Sequence, residues 1–272
     1  MRQWVGLLAL LLVGCSSPGL EQRPGYVADG RHPAPGARPR IKAVVIHYTA
    51  EDYPTSLATL RGSEVSVHYL LPAHPAWRNP TIVQLVPEAQ LAWHAGPSFW
   101  RGASRLNDTS IGIELVNPGY TRTLSGLRWA AFPPEQIAAL QALLRDIVQR
   151  YGIPPENIVG HSDIAPQRKQ DPGPRFPWVA LARAGLGAWP DAGQVRARLG
   201  DRPARSPVQP AALLAVLARY GYEVPPDMTV EQQRRVIAAF QMHFRPADTR
   251  GLADAETLAI AEALVAQYGA AL

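Results

Sequence analysis

The sequence predicts an α/β fold: a mixed central β-sheet flanked by helices, followed by a small three-helix C-terminal domain. Three observations carry that reading. The runs Ile41–Thr49, Ser66–Pro72, Thr81–Glu88 and Thr109–Asn117 are short and β-branched, the first and last apolar enough for central strands. Pro134–Tyr151 places Ile137, Leu140, Leu144, Ile147 and Val148 on one helical face. From Ala211 onward the apolar positions repeat at helical spacing. Strands interleaved with helices argue for an α/β domain, and the helices that follow argue for a second, smaller unit.

Taken in order, Met1–Gln3 is a short basic start, and Trp4–Gly14 is an apolar stretch far too short to span a bilayer. It leads through Leu12-Val13-Gly14 into Cys15, the only cysteine of the chain, which has no partner for an internal disulfide. Residues 1–15 resemble a bacterial lipoprotein signal peptide, whose cleavage leaves Cys15 as an acylated N-terminus. Several acyl chains anchor a protein stably where one does not. Ser16 is not acidic, so in a Gram-negative host the expectation is an outer-membrane lipoprotein facing the periplasm. Residues 16–40, rich in Pro, Gly and charge, read as a tether.

The main domain is expected over residues 41–200, with Glu114 on a central strand. The helix Pro134–Tyr151 starts with proline, which suits a first turn, and stops at Gly152. Ile158-Val159 is a short strand leading to His161. Asp201–Pro207 then separates a unit over residues 208–272, with helices Ala211–Tyr220, Val230–Phe244 and Ala255–Tyr268.

A hydrophobic content of 47% supplies an ordinary globular core for 272 residues. The net charge of +5 would suit an anionic partner, but the arginines are scattered and no basic-aromatic interleaving occurs, so nucleic acid is not expected. Among 27 basic residues only Lys42 and Lys169 are lysines. Lys169 falls in the most informative segment of the chain, which suggests a role for a compact ammonium there.

That segment is Gly160–Phe176, too rich in Pro and Gly for a helix or central strand. It sets His161, Lys169 and Asp171 at fixed offsets. Histidine and aspartate offer the nitrogen and oxygen ligands that zinc accepts, and a catalytic zinc takes about three protein ligands plus an open position. A third must come from elsewhere. His47 stands at the carboxyl end of an apolar run, where α/β sheets place functional groups. His68 and His94 are further donors in principle, but they read as residues behind the ligands or in the wall of the cleft. A glutamate inside an apolar strand, as at Glu114, is costly unless it has a function or a partner. Lys169 precedes Asp171 by two residues, so in an extended loop both side chains point to one side. Trp93, Phe99 and Trp100 are either a platform for substrate or core. His32, His74 and His243 read as surface or local structure.

The motifs VVIHYTA (Val44–Ala50), SVHYLL (Ser66–Leu71), AWHAGPSFWRGASRLNDTSIGIELVN (Ala92–Asn117) and VGHSDIAPQRKQDPGPRFPW (Val159–Trp178) occur in that order. Together they resemble the zinc-dependent N-acetylmuramoyl-L-alanine amidases, the family that includes phage amidase-lysozymes, peptidoglycan recognition proteins and the outer-membrane lipoprotein amidases of Gram-negative bacteria. The resemblance implies Zn2+ as cofactor and His47, His161 and Asp171 as its ligands. It implies Glu114 as the catalytic carboxylate and Lys169 as a stabiliser of the transition state. By position, Tyr48 and Thr49 are expected to contact the substrate, peptidoglycan or a muropeptide. AAFQMHF followed by GLADAETLAIAEAL resembles a three-helix peptidoglycan-binding module. A monomer is expected.

Two other functions remain open at this point. A wall-binding protein without catalysis would have lost a ligand or the glutamate, and all are present. A zinc D-alanyl-D-alanine peptidase would place a His and an Asp close together before a later His, whereas the order here is His, Glu, His, Asp.

Overall fold

Apolar side chains on both faces place Ala43–Tyr48 and Ser110–Leu115 in the interior of the sheet, as their composition predicts. The computed structural model describes residues 19–124 and 126–269. Cys15, Ser16 and the signal-like segment lie outside the described residues.

The chain divides into two compact units, the first running to Pro39 and the second from Arg40. In the first unit, β1 (Leu20–Arg23) and β2 (Tyr26–Asp29) pair antiparallel. Composition predicts a tether here and gives no sign of the hairpin. The hairpin forms because Pro24-Gly25 supplies a turn, with Gly25 at the positive φ (84°) that its second central position needs.

The second unit begins with β3 (Ala43–Tyr48), α1 (Tyr53–Leu60), β4 (Tyr69–Leu71) and β5 (Val83–Gln84). A small hairpin, β6 (Phe99–Trp100) and β7 (Ala103–Ser104), precedes β8 (Ser110–Leu115). A second hairpin, β9 (Tyr120–Thr123) and β10 (Gly126–Trp129), precedes α2 (Pro134–Tyr151). After β11 (Ile158–Gly160) come α3 (His161–Ile164), α4 (Trp178–Arg183) and α5 (Ala192–Leu199). The chain then forms α6 (Pro210–Tyr220), α7 (Val230–Phe244) and α8 (Ala255–Tyr268).

The main sheet has the order β11-β3-β8-β4-β5, parallel except for the antiparallel edge strand β5. Side chains alternate across it. Val44, Ile46, Ile111 and Ile113 pack with Leu140, Leu144 and Ile147 of α2, the face predicted for that helix. The helix ends at Gly152, at φ 65°. On the opposite face, Val45 and Val159 join a cluster with Ile164 of α3 and Leu217, Phe240 and Leu264 of α6, α7 and α8. The predicted C-terminal helices are therefore present, and their apolar core is continuous with the second face of the sheet across the Asp201–Pro207 segment.

Candidate active site

Register places the chemistry. In the parallel pair β3–β8, His47 is the partner of Glu114, so both side chains leave the sheet on the face away from α2. On the other side of β3, Gly160 of β11 pairs with Ile46 and hands the chain to His161. The Pro and Gly content of this segment predicts no helix, yet His161–Ile164 is one helical turn. It forms because the Asp163 carboxylate accepts the Gly160 N–H at 2.7 Å and Ser162 N–H donates to the Asp171 carbonyl at 2.8 Å. Lys169 and Asp171 lie in the loop beyond, both on the same cleft, as their spacing predicts.

His47 Nδ1 lies 2.9 Å from His161 Nδ1, and each lies 3.1 Å from Asp171 Oδ2. Donors around a tetrahedral zinc stand roughly 3.3 Å apart, given metal–ligand distances of about 2.0–2.1 Å, so the set fits such an ion. Two imidazole nitrogens converging on one carboxylate oxygen, all three buried, is what a cation joins. The far nitrogens agree. His161 Nε2 is 3.1 Å from the Ala95 carbonyl, and His47 Nε2 is 3.1 Å from His94 Nδ1. Each far nitrogen can therefore carry the proton, leaving both Nδ1 lone pairs directed at the centre. His94 passes the chain on, its Nε2 3.3 Å from Ser110 Oγ, which donates to the Leu106 carbonyl at 2.5 Å. Gly112 lies under the His94 ring, where a Cβ would come within 2.4 Å of Cγ, so the ring position requires glycine.

Electrostatics follow burial. Desolvation and the neighbouring His161 push His47 down to about 4, so it is neutral at pH 7, as a ligand must be. Burial pushes the Asp171 carboxyl up, but the attraction of His161 and His47 outweighs it and holds the group well below the usual carboxylate range. Burial, helped by the charge of Asp171, pushes Glu114 well above that range. One Glu114 oxygen, Oε2, is buried without a hydrogen-bond partner.

These groups line a cleft of about 720 Å³ together with Tyr48, Thr49 and Lys169. The aromatic run divides. Trp93, 60% exposed, stands on the cleft, whereas Trp100 is core and donates to the Glu156 carbonyl at 3.1 Å. His68 is buried away from the donor cluster, its Nδ1 accepting the Gly112 N–H, and plays no ligand part. His74 is exposed against Glu135. His243 corrects its surface reading: it is buried and holds Asp163 at 2.7 Å. Its place on α7 between Phe240 and Phe244 was the available signal for an inward ring. Sequence reasoning also missed α7 as a cleft wall, where Glu231, Arg235 and Met242 line the same cleft as His47, Glu114 and Lys169.

A carboxylate with a free buried oxygen, a half-buried lysine and a three-donor cluster, all opening on one groove at the carboxyl edge of a sheet, define a hydrolase. The family model for N-acetylmuramoyl-L-alanine amidase matches residues 37–174. The N-acetylmuramoyl-L-alanine amidase AmiD of Escherichia coli K12 is 58% identical over 269 residues, 98% of each chain. The chain belongs to the N-acetylmuramoyl-L-alanine amidase family. Among solved structures, the complex of E. coli AmiD with the substrate anhydro-N-acetylmuramic acid-L-Ala-D-gamma-Glu-L-Lys superposes with a TM-score of 0.89 at 59% identity, covering 93% of this chain and 99% of that one. AmpDh3 from Pseudomonas aeruginosa gives 0.78 at 39% identity, covering 87% and 96%. The shared family sets aside the non-catalytic and D-alanyl-D-alanine peptidase alternatives.

Proposed function

We propose that the protein is a zinc amidase that hydrolyses the amide between the lactyl carbonyl of N-acetylmuramic acid and L-alanine, in peptidoglycan or in muropeptides released from it. The observation that carries this is the unpartnered Glu114 oxygen, held beside the His47–His161–Asp171 cluster by the strand register. When bound there, zinc supplies Lewis acidity and a nucleophile at neutral pH. Glu114 takes the proton of the attacking water and delivers it to the departing L-alanine amine, the two roles open to one positioned carboxylate. Lys169 faces the negative charge that develops on the carbonyl oxygen. Tyr48, Thr49 and Trp93 contact the substrate from the rim. The test is digestion of purified sacculi and of anhydro-muropeptides, with the fragments identified by mass spectrometry. Stem peptides ending in free L-alanine amines are expected; cleavage within the stem instead would overturn the reading.

Residues 41–200 serve as the catalytic domain in this reading, and residues 208–272 as a unit that holds the enzyme to the wall. Tethering alone raises local concentration and leaves the chemical barrier unchanged. The continuous core adds a second role. Ending the chain after Asp201 is therefore expected to lower the Tm and to reduce activity on soluble muropeptides as well as on sacculi. Full activity on the soluble substrate would restrict these helices to binding.

The reading includes an outer-membrane lipoprotein on the periplasmic side, with residues 1–15 removed and Cys15 acylated. The motif before Cys15 and the absence of another cysteine support it. In cell fractionation Cys15→Ser is expected to move the protein from the membrane to the soluble periplasm; firm retention would contradict the anchor. The active form is a monomer in this reading.

A further inference from the structure

We infer that Tyr222 and His243, both from the C-terminal helical unit, are positioning residues for the metal side of the active site, acting through Asp163. This rests on the reading of His47, His161 and Asp171 as metal ligands. Asp163 is fully buried on α3, two residues beyond His161. One of its oxygens accepts the Gly160 N–H and His243 Nδ1, each at 2.7 Å, and the other accepts the Tyr222 hydroxyl at 2.5 Å.

The dependence is physical. A helix of four residues does not hold itself, because nucleating one turn is unfavourable. This turn carries His161 and, through Ser162 N–H, grips the Asp171 backbone at 2.8 Å, so two of the three donors move with it. What fixes the turn is a desolvated carboxylate, and such a group is tolerable only with its hydrogen bonds made. Within the main domain Gly160 supplies one donor; the two side-chain donors come from beyond the Asp201–Pro207 segment. Both donors are rigid. The His243 ring stacks on Trp178 at 3.7 Å and on Phe244 at 3.8 Å, and its other nitrogen has no partner, so its hydrogen bonding goes to Asp163. The Tyr222 ring is edge-on to Trp100 at 5.1 Å and to Phe240 at 5.9 Å. The C-terminal helices thus set the geometry of the reaction as well as closing the core.

The test compares zinc affinity, measured by chelator competition, with kcat, KM and Tm in the full chain. The variants are Tyr222→Phe and His243→Phe, singly and together; each keeps an aromatic ring and removes a donor. Leu264→Ala, which empties part of the C-terminal core and does not touch Asp163, is the packing control. The double variant is expected to lose about 10–100-fold in zinc affinity, the scale for outer partners of metal ligands, with kcat reduced and KM unchanged. If the double variant does not fold, Tyr222→Phe alone carries the test, with a smaller loss in the same direction. Unchanged affinity and kcat in variants with lowered Tm would overturn the proposal, as would equal loss of affinity in Leu264→Ala at the same Tm. A wild-type chain that takes up no zinc would overturn the metal reading itself.

Discussion

Stripping the metal with a chelator is expected to stop amide hydrolysis and leave the fold in place. The expected loss is complete within assay background, because the proposed mechanism takes its nucleophile from the bound metal. The fold survives because Val44, Ile46, Ile111 and Ile113 pack against α2 on the opposite face of the sheet, with no part of that core built on the cluster. Far-ultraviolet circular dichroism of the stripped protein should match the untreated one, and added zinc should restore activity. Asp171→Ala should behave like the stripped protein and resist rescue, since it removes the one anionic donor of the three. Stem-peptide release at the native rate after chelation would remove the metal from the mechanism.

Glu114→Gln is expected to lower kcat by roughly two to four orders of magnitude, the scale of a lost general base. Zinc content should not change, because the three donors do not include Glu114. Thermal stability should hold or rise, since a half-buried carboxylate pushed well above its ordinary pKa is replaced by a neutral amide of the same shape. That combination separates a proton carrier from a ligand. If metal analysis finds the variant empty, Glu114 belongs to the donor set.

The site was legible wherever residue type alone limits what a side chain does. A glutamate in the apolar run Ser110–Leu115 has few structural excuses, and His161, Lys169 and Asp171 sit in one short segment. The central strands and α2 were legible too, since their alternation and helical period are local. What stayed hidden depended on contacts between distant parts of the chain. That His94 stands behind the donors or in the cleft wall was legible, but its partner, His47 Nε2 at 3.1 Å, was not, because β3 and the Trp93–Ala95 loop meet only in the fold. Asp163 and His243 are 80 positions apart, and no spacing rule joins them. The α3 turn ran against its own composition, because Asp163 satisfies the Gly160 N–H and tertiary bonds complete the turn. The β1–β2 hairpin was obscured for the opposite reason, since Pro and Gly signal loops as readily as they close turns.

The pairing of His47 with Glu114 across one parallel ladder has a consequence for how such enzymes diversify. Neighbouring strands stand about 4.8 Å apart, a spacing set by backbone hydrogen bonds and indifferent to side-chain identity. Drift in sequence can therefore repaint the rim, alter Trp93 or Arg235, or lengthen the loops without moving Glu114 relative to His47. On the reading of Glu114 as the proton carrier, the backbone sets the reaction and the outer residues are left to set substrate preference. New specificities should accumulate at the cleft walls, α7 among them, and spare the two strands beneath.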